Sequence, residues 1–330
     1  MDNELLLYDR IEVIKATNQK YDLENNAYLS FSGGKDSTVL HHLLDMALPN
    51  NRIPRVFIDT GIEYTKIREF VMGLAKNDDR FIIIRPSKPI RQTLESVGYP
   101  FKSKQHSHNI DLYQHHKEDF KEIKKVIDSD MTLLQNYEFI HSLPIGLKTL
   151  VKYYYGVRER ESCISILTIP KCLKYQMEDK CDLKISDFCC RELKKKPIHK
   201  WEKENNRFVA MTGMRSEEGG ARARLGCVIT DKSGNMVKFH PLVKVDDEWE
   251  NWFIKKHDIE ICGLYKEPYN FKRTGCKGCP YALNLQHDLE IMEKYFPSER
   301  KQCEFIWKPV YDEYRRLNYR LKNVEEIKLF

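Results

Sequence analysis

Three times within the first hundred residues, a short apolar run is followed by a helical pattern, and this alternation restricts the fold more than any other feature. Residues 27–31, 55–59 and 80–85 read as strands, and 38–47, 65–75 and 90–97 as helices. In the first helix Val39, Leu40, Leu43, Leu44 and Ala47 fall on one face. The order β-α-β-α-β-α predicts an α/β fold built on a doubly wound parallel sheet. Such sheets bind ligands beyond the carboxyl ends of their strands, so the loops at 32–37 and 59–65 are the expected places for a site.

From 99 to about 200 the pattern changes to polar, helix-biased sequence rich in Lys, His and Tyr, with no clear run of strands. A strand returns at 207–212, followed by a loop rich in glycine and arginine, and 236–245 reads as another strand. Helical segments at 246–257 and 284–295 and an aromatic, basic tail at 303–321 complete the chain. The expected layout is an α/β nucleotide-binding core from 1–98 and 201–260, a helical insertion at 99–200, and a CxxC loop with a helical C-terminal extension at 261–330. Apolar content of 41% and charged content of 32% fit a globular protein, and no apolar run approaches a membrane span. The acidic start, MDNELLLYDRIEVIK, does not read as a secretory signal, so a cytoplasmic location and no membrane partner are expected. A net charge of +6, spread through mixed stretches such as HHKEDFKEIKKVI, permits nucleic-acid binding without indicating it.

The first strand leads into the second feature, SGGKDS at 32–37. Gly33 and Gly34 let the backbone turn tightly and approach an anion closely. Ser30, Ser32, Ser37 and Thr38 supply hydroxyls, Lys35 supplies a cation, and the amides at a helix start favour negative charge. A glycine turn capped by Ser or Asp is the plainer reading, but it accounts for neither the lysine nor the density of hydroxyls. The spacing is not that of a Walker A loop. Further along, Arg215, Arg222 and Arg224 crowd a glycine-bearing loop, and guanidinium groups bind phosphate or sulfonate oxygens bidentately. A solvated, charge-balanced loop is the competing reading there. Asp59 and Glu63 suit Mg²⁺ or a ribose hydroxyl, with helix capping as the alternative.

SGGKDS resembles the PP-loop of the N-type ATP pyrophosphatases, the superfamily that includes the phosphoadenosine phosphosulfate (PAPS) reductases. The resemblance continues through Asp59-Thr60-Gly61, through Gly213-Met214-Arg215-Ser216-Glu217-Glu218 with Arg222 and Arg224, and through His240-Pro241-Leu242 with Trp249 and Trp252. These segments span roughly 27 to 280 in family order. The resemblance implies a Rossmann-like, adenine nucleotide alpha hydrolase-like fold that binds ATP or another adenine nucleotide with Mg²⁺. It implies nucleotide contacts at Ser30, Ser32, Gly33, Gly34, Lys35, Asp36, Ser37, Asp59, Thr60, Gly61, Gly213, Arg215, Glu218, Arg222 and Arg224, with Lys35, Asp36 and Arg215 nearest the chemistry.

Ten cysteines in a reducing compartment read as metal ligands or redox groups rather than disulfides. The adjacent pair Cys189-Cys190, followed much later by Cys276-Lys277-Gly278-Cys279, resembles the iron–sulfur signature of adenosine phosphosulfate reductases. It implies a [4Fe–4S] cluster on those four thiolates. A Cys₄ zinc site is the alternative, although adjacent cysteines sit awkwardly around one tetrahedral ion. No thioredoxin strand pattern precedes the CxxC, which disfavours a redox dithiol. The basic run Lys194–Lys196 would offset a cluster's negative charge or would simply be solvated. Cys163, Cys172, Cys181, Cys227, Cys262 and Cys303 read mostly as small buried residues. Cys181 and Cys227 stand out for redox or persulfide roles.

Within the family, reductases of preactivated sulfonucleotides generally lack the loop lysine and carry a nucleophilic cysteine in an ECGLH-type C-terminal segment. Here Lys35 is present and the last cysteine is Cys303. The expectation is therefore an ATP pyrophosphatase that adenylates a substrate in sulfur transfer, resembling cluster-bearing tRNA thiolases and DNA phosphorothioation components. A persulfide or a desulfurase would be the sulfur donor, and a nucleic-acid acceptor is one option. A sulfonucleotide reductase releasing sulfite is the alternative, and a non-catalytic nucleotide sensor a second one. The segment Tyr99–Lys104 and the run Tyr153–Tyr155 read equally as a base-stacking surface or a helical cap.

Overall fold

The structure, a computed structural model, describes residues 2–157, 168–178, 180–218 and 223–322, and for Glu218 the backbone only. The chain divides into two compact units, Met1–Pro89 with Glu192–Lys277 and Ile90–Arg191 with Gly278–Phe330. The helix Ile90–Val97 thus belongs to the second unit and 261–277 to the first, whereas the sequence pattern had set the boundaries at 98, 200 and 260.

The first unit is built on a six-stranded sheet. Its strands are β1 (Ala27–Ser30), β2 (Arg55–Ile58), β3 (Phe81–Ile84), β4 (Val209–Met211), β5 (Val228–Thr230) and β6 (Met236–Phe239). The order β3-β2-β1-β4-β6-β5 is parallel except for β5, which runs antiparallel to β6 at one edge. From β1 the chain winds outward through β2 and β3 on one side, then returns to add β4 on the other. The crevice between the ends of β1 and β4 is therefore the topological switch point, where open α/β sheets take their ligands.

All three early strand–helix pairs form, with the helices at Lys35–Ala47, Thr65–Asn77 and Ile90–Val97. Val39, Leu40, Leu43 and Leu44 are completely buried, and each such side chain stabilises the fold by about 1.5–3 kcal/mol. The helix Lys196–Asn205 packs on the sheet through Trp201, whose ring meets Tyr28 edge-on at 5.3 Å beside Val56. The expected strand at 236–245 stops at Phe239, because Pro241 and the turn after it end the ladder. The pattern reading lacks the short helix Leu23–Asn26 and two further elements. One is β5, whose exposed residues give no apolar alternation. The other is the helix Asn3–Tyr21, capped by the Asp2 carboxylate on the Glu4 amide at 3.0 Å.

The second unit is helical. Ile90–Val97, Lys104–His115, Lys117–Ser129, Tyr137–Ser142, Ile145–Tyr155, Leu285–Tyr295 and Pro297–Arg316 are its α-helices. Its described residues contain no strand, only an isolated parallel bridge between Tyr99 and Ile185. Among the described residues no helix is long and apolar enough to cross a membrane.

Candidate functional site

The loop from β1 into the helix Lys35–Ala47 is held by its own hydroxyls. Ser32 Oγ accepts from the Gly34 amide at 3.2 Å and lies 3.1 Å from Ser37 Oγ. Ser37 Oγ and Thr38 Oγ1 both donate to the Gly34 carbonyl, at 2.9 and 3.0 Å. Gly33 has φ +72°, and a Cβ there would lie 2.8 Å from Val71 Cγ2 and 2.9 Å from Ile67 Cγ2, so helix Thr65–Asn77 closes directly over it. The loop after β4 presses in from the other side. A Cβ on Gly213 would fall 2.7 Å from the Asp36 carbonyl oxygen.

Between the two loops lies a cavity of about 790 Å³, within the range of cofactor and small-ligand sites. Ser30, Ser32, Gly34, Lys35, Asp36 and Ser37 line one wall, and Thr212, Gly213, Met214, Arg215 and Glu217 another. Asp247 and Asn251 come from the helix Asp247–Lys256. Ile261, Tyr265 and Phe271 add apolar and aromatic surface, and Lys272, Arg273 and Thr274 add further charge and hydrogen-bonding groups.

The charged side chains form one network. Lys35 Nζ lies 2.7 Å from Glu250 Oε2 and 3.4 Å from Asn251 Oδ1. Arg215 donates to Asp36 Oδ1 at 2.7 Å, Asp247 Oδ1 at 2.6 Å and Glu217 Oε2 at 3.3 Å, and lies 3.6 Å from Glu250. Burial works against the Arg215 cation, but Glu250, Asp247 and Asp36 outweigh it and keep the guanidinium charged. Glu250 is fully buried, and burial, then Asp36, push its carboxyl up to about 7 against the pull of Lys35 and Arg215.

Ser30, Ser32, Gly34, Lys35, Asp36, Ser37, Gly213 and Arg215 thus meet around one cavity, with Gly33 packed behind the loop. Asp59, Thr60 and Gly61 are not among the lining residues. Asp59 pairs instead with Arg68 at 3.1 Å and Arg85 at 3.2 Å, and Glu63 accepts from the Thr60 amide and hydroxyl. Arg224 is exposed and does not line the cavity. Arg222 and the Glu218 side chain lie outside the described residues. Glu250, Asp247, Asn251, Tyr265, Lys272 and Arg273 were not anticipated. Glu250 and Asn251 follow Trp249 directly, and Arg273 is three residues before Cys276, so proximity to recognised segments was the available signal.

In the second unit, Cys189 Sγ and Cys190 Sγ lie 4.0 Å apart. Burial raises the Tyr281 phenol, and Cys189, Cys190 and Cys279 all act on it in the same direction. The turn at Gly278 has φ +61°, and a Cβ there would meet Tyr311 Oη at 2.5 Å and Cys303 Sγ at 2.8 Å. Tyr311 donates to the Gly278 carbonyl, and Tyr314 to that of Pro280 at 3.0 Å, so the helix Pro297–Arg316 clamps this segment. Among the described residues, no three His, Cys, Asp or Glu side chains are grouped to hold a single metal ion. Of the remaining cysteines, Cys262 and Cys303 are buried and Cys172 is exposed, contrary to the expectation of burial. Cys181 and Cys227 are half-buried, and burial pushes both thiols up, away from the reactive thiolate. Cys163 lies outside the described residues.

The profile of the phosphoadenosine phosphosulfate reductase domain matches residues 26–143 and 151–282, well over half of the chain. The chain belongs to this family. This PAPS reductase-family chain is 33% identical over 101 residues to an uncharacterized protein of Methanocaldococcus jannaschii, covering 31% of this chain and 24% of that one. It is 28% identical over 117 residues to the adenosine 5'-phosphosulfate reductase of Allochromatium vinosum, covering 35% and 44%. The chain therefore spans less than half the length of either relative. Among solved structures it is similar to the PAPS reductase of Candida auris in its phosphate complex (14% identity, TM-score 0.44, covering 81% and 87%). It is also similar to a U34-tRNA thiolase of Methanococcus maripaludis with its [4Fe–4S] cluster (14% identity, TM-score 0.37, covering 96% and 80%).

Proposed function

We propose that this chain is an ATP pyrophosphatase of the PAPS reductase family, which uses ATP to adenylate a substrate in sulfur transfer. The observation that carries the reading is Lys35, which lines the cavity of about 790 Å³ from the hydroxyl-bearing loop, with Arg215 contributed by the loop after β4. A ligand with a β,γ-diphosphate gives that lysine a task, whereas a preactivated sulfonucleotide has none to offer it. In the proposed reaction a substrate oxygen attacks the α-phosphorus of ATP. The bond from that phosphorus to the bridging oxygen of the β-phosphate breaks, and pyrophosphate leaves. A sulfur nucleophile then displaces AMP from the adenylated carbon–oxygen bond. Lys35 and the loop amides stabilise the charge on the departing pyrophosphate, and Arg215 opposes charge on the phosphate nearest Asp36. The apolar and aromatic surface of Ile261, Tyr265 and Phe271 suits the adenine base.

The cysteine set fits a thiolate-held group, since Cys189 Sγ and Cys190 Sγ lie 4.0 Å apart and Cys279 follows the turn at Gly278 in the same unit. A cluster distributes its ligands over several iron atoms, so it does not need the tight grouping required by one ion. A [4Fe–4S] cluster would supply an iron site or electrons for handling sulfur. Zinc is the alternative occupant, and a persulfide or desulfurase the donor.

The test is anaerobic purification with iron and sulfide analysis, followed by measurement of pyrophosphate release from ATP with candidate acceptors. Lys35→Ala is expected to lower pyrophosphate release at least 100-fold, in line with loss of a charge-stabilising group. Equal release by Lys35→Ala and wild type would sink the reading. The similarity to an adenosine 5'-phosphosulfate reductase supports a second reading, reduction of a sulfonucleotide. Thiol-dependent sulfite release would establish it in place of the first.

A further inference from the structure

The buried carboxylate beside Lys35 is not explained by phosphate binding alone. Glu250 is 0% exposed, and its Oε2 lies 2.7 Å from Lys35 Nζ. A polyphosphate entering the cavity needs the same ammonium, so ligand and Glu250 compete for one cation. A carboxylate left ionised in a buried site, next to an arriving polyanion and without its partner, is strongly unfavourable. It is neutralised instead.

We propose that Glu250 is the internal counter-anion of the phosphate cradle: it holds Lys35 until a polyphosphate anion takes that ammonium, and then takes up one proton from solvent. This inference rests on the reading of the cavity as a polyphosphate site. The groups facing Glu250 support it. From the helix Lys35–Ala47 come Lys35, which favours the carboxylate, and Asp36, which opposes it. From the loop after β4 comes Arg215, at 3.6 Å, already occupied by Asp36, Asp247 and Glu217. On its own helix Asp247 is bound to Arg215, so it offers Glu250 no compensation. Arg215, committed to three other carboxylates, cannot replace Lys35. The carboxyl already titrates near 7, raised by burial and Asp36, so the arriving anion need only complete a transition the site has prepared.

The sign follows from linkage. If the bound state holds Glu250 protonated, binding absorbs a proton at any pH above its unliganded value, and affinity falls as pH rises through and beyond 7. The experiment is titration calorimetry of the full chain with ATP at pH 8, in buffers of different ionisation enthalpy. At that pH the terminal phosphate, with a second pKa of about 6, is ionised and contributes little to proton exchange. Close to one proton taken up per ATP is expected, with affinity falling up to about tenfold per pH unit above 7. Glu250→Gln should abolish the uptake and flatten the pH profile, which a merely structural role would not do. ATP or inorganic pyrophosphate binding to wild type without proton uptake overturns the inference and leaves the phosphate reading intact. Failure of both to bind overturns the reading, and the inference with it. The wild-type measurement decides even where the variant does not fold.

Discussion

Gly33 shows how much one residue can fix. Its φ of +72° suits glycine, and the space a methyl would need is already taken by Val71 and Ile67. Gly33→Ala is expected to cost about 1–3 kcal/mol, as overpacking usually does, and to weaken ATP binding by distorting the loop. Urea unfolding and calorimetry would measure the two effects, and unchanged values in both would remove Gly33 from its place behind the cradle. At this scale the sequence was most informative where chemistry and spacing coincide. Lys35, Asp36 and Arg215 were legible because they sit in short, glycine-marked loops. Glu250 was not, since in DEWENW it reads as one more charge on an amphipathic helix. Only the packing of that helix against Lys35–Ala47 turns it inward. Asp59 follows a strand, as a ligand-binding carboxylate would, and in the structure it pairs with Arg68 and Arg85.

The helix Lys35–Ala47 is an element with two jobs. Its first turn faces the cavity, and its middle anchors β2 through a buried charge. Arg55 is fully buried, donating to His41 Nδ1 at 3.1 Å and Asn51 Oδ1 at 2.8 Å and pairing with Asp45 at 2.6 Å. To accept that bond His41 must be neutral, and burial, then Arg55, pull it down to about 3. Burial works against the Asp45 carboxylate, but the Arg80 hydrogen bonds and Arg55 hold it near 2. Both folded values lie below the unfolded ones, so the stability they contribute is complete above about 6.5 and is lost as pH falls. Urea midpoints should therefore drop between pH 7 and 4.5, and His41→Gln, which keeps an acceptor for Arg55, should drop less. Equal slopes for the two proteins would refute this account. The β-α alternation was legible because each buried face repeats at its own period. The edge strand β5 was not, since only the ladder with β6 defines it.

At the scale of the whole molecule, the cavity is assembled entirely within one unit, from residues on both sides of the stretch 90–191. Such interruption was foreseeable from the change in pattern near residue 99, but the boundaries were not, since a helix at 90–97 reads alike in either unit. ATP at about 100 times its Kd should stabilise the unit that binds it by about 2.7 kcal/mol. The native chain carries the means to see this. Of four tryptophans, Trp201, Trp249 and Trp252 belong to the unit with the cavity, and Trp307 to the other. Trp249 and Trp252 lie on the helix of Glu250 and Asn251, with their rings 5.8 Å apart. Indole emission responds to nearby charge and to ring contacts. The helix that meets the lysine is thus also a built-in optical reporter, able to follow a colourless ligand into the site without any label.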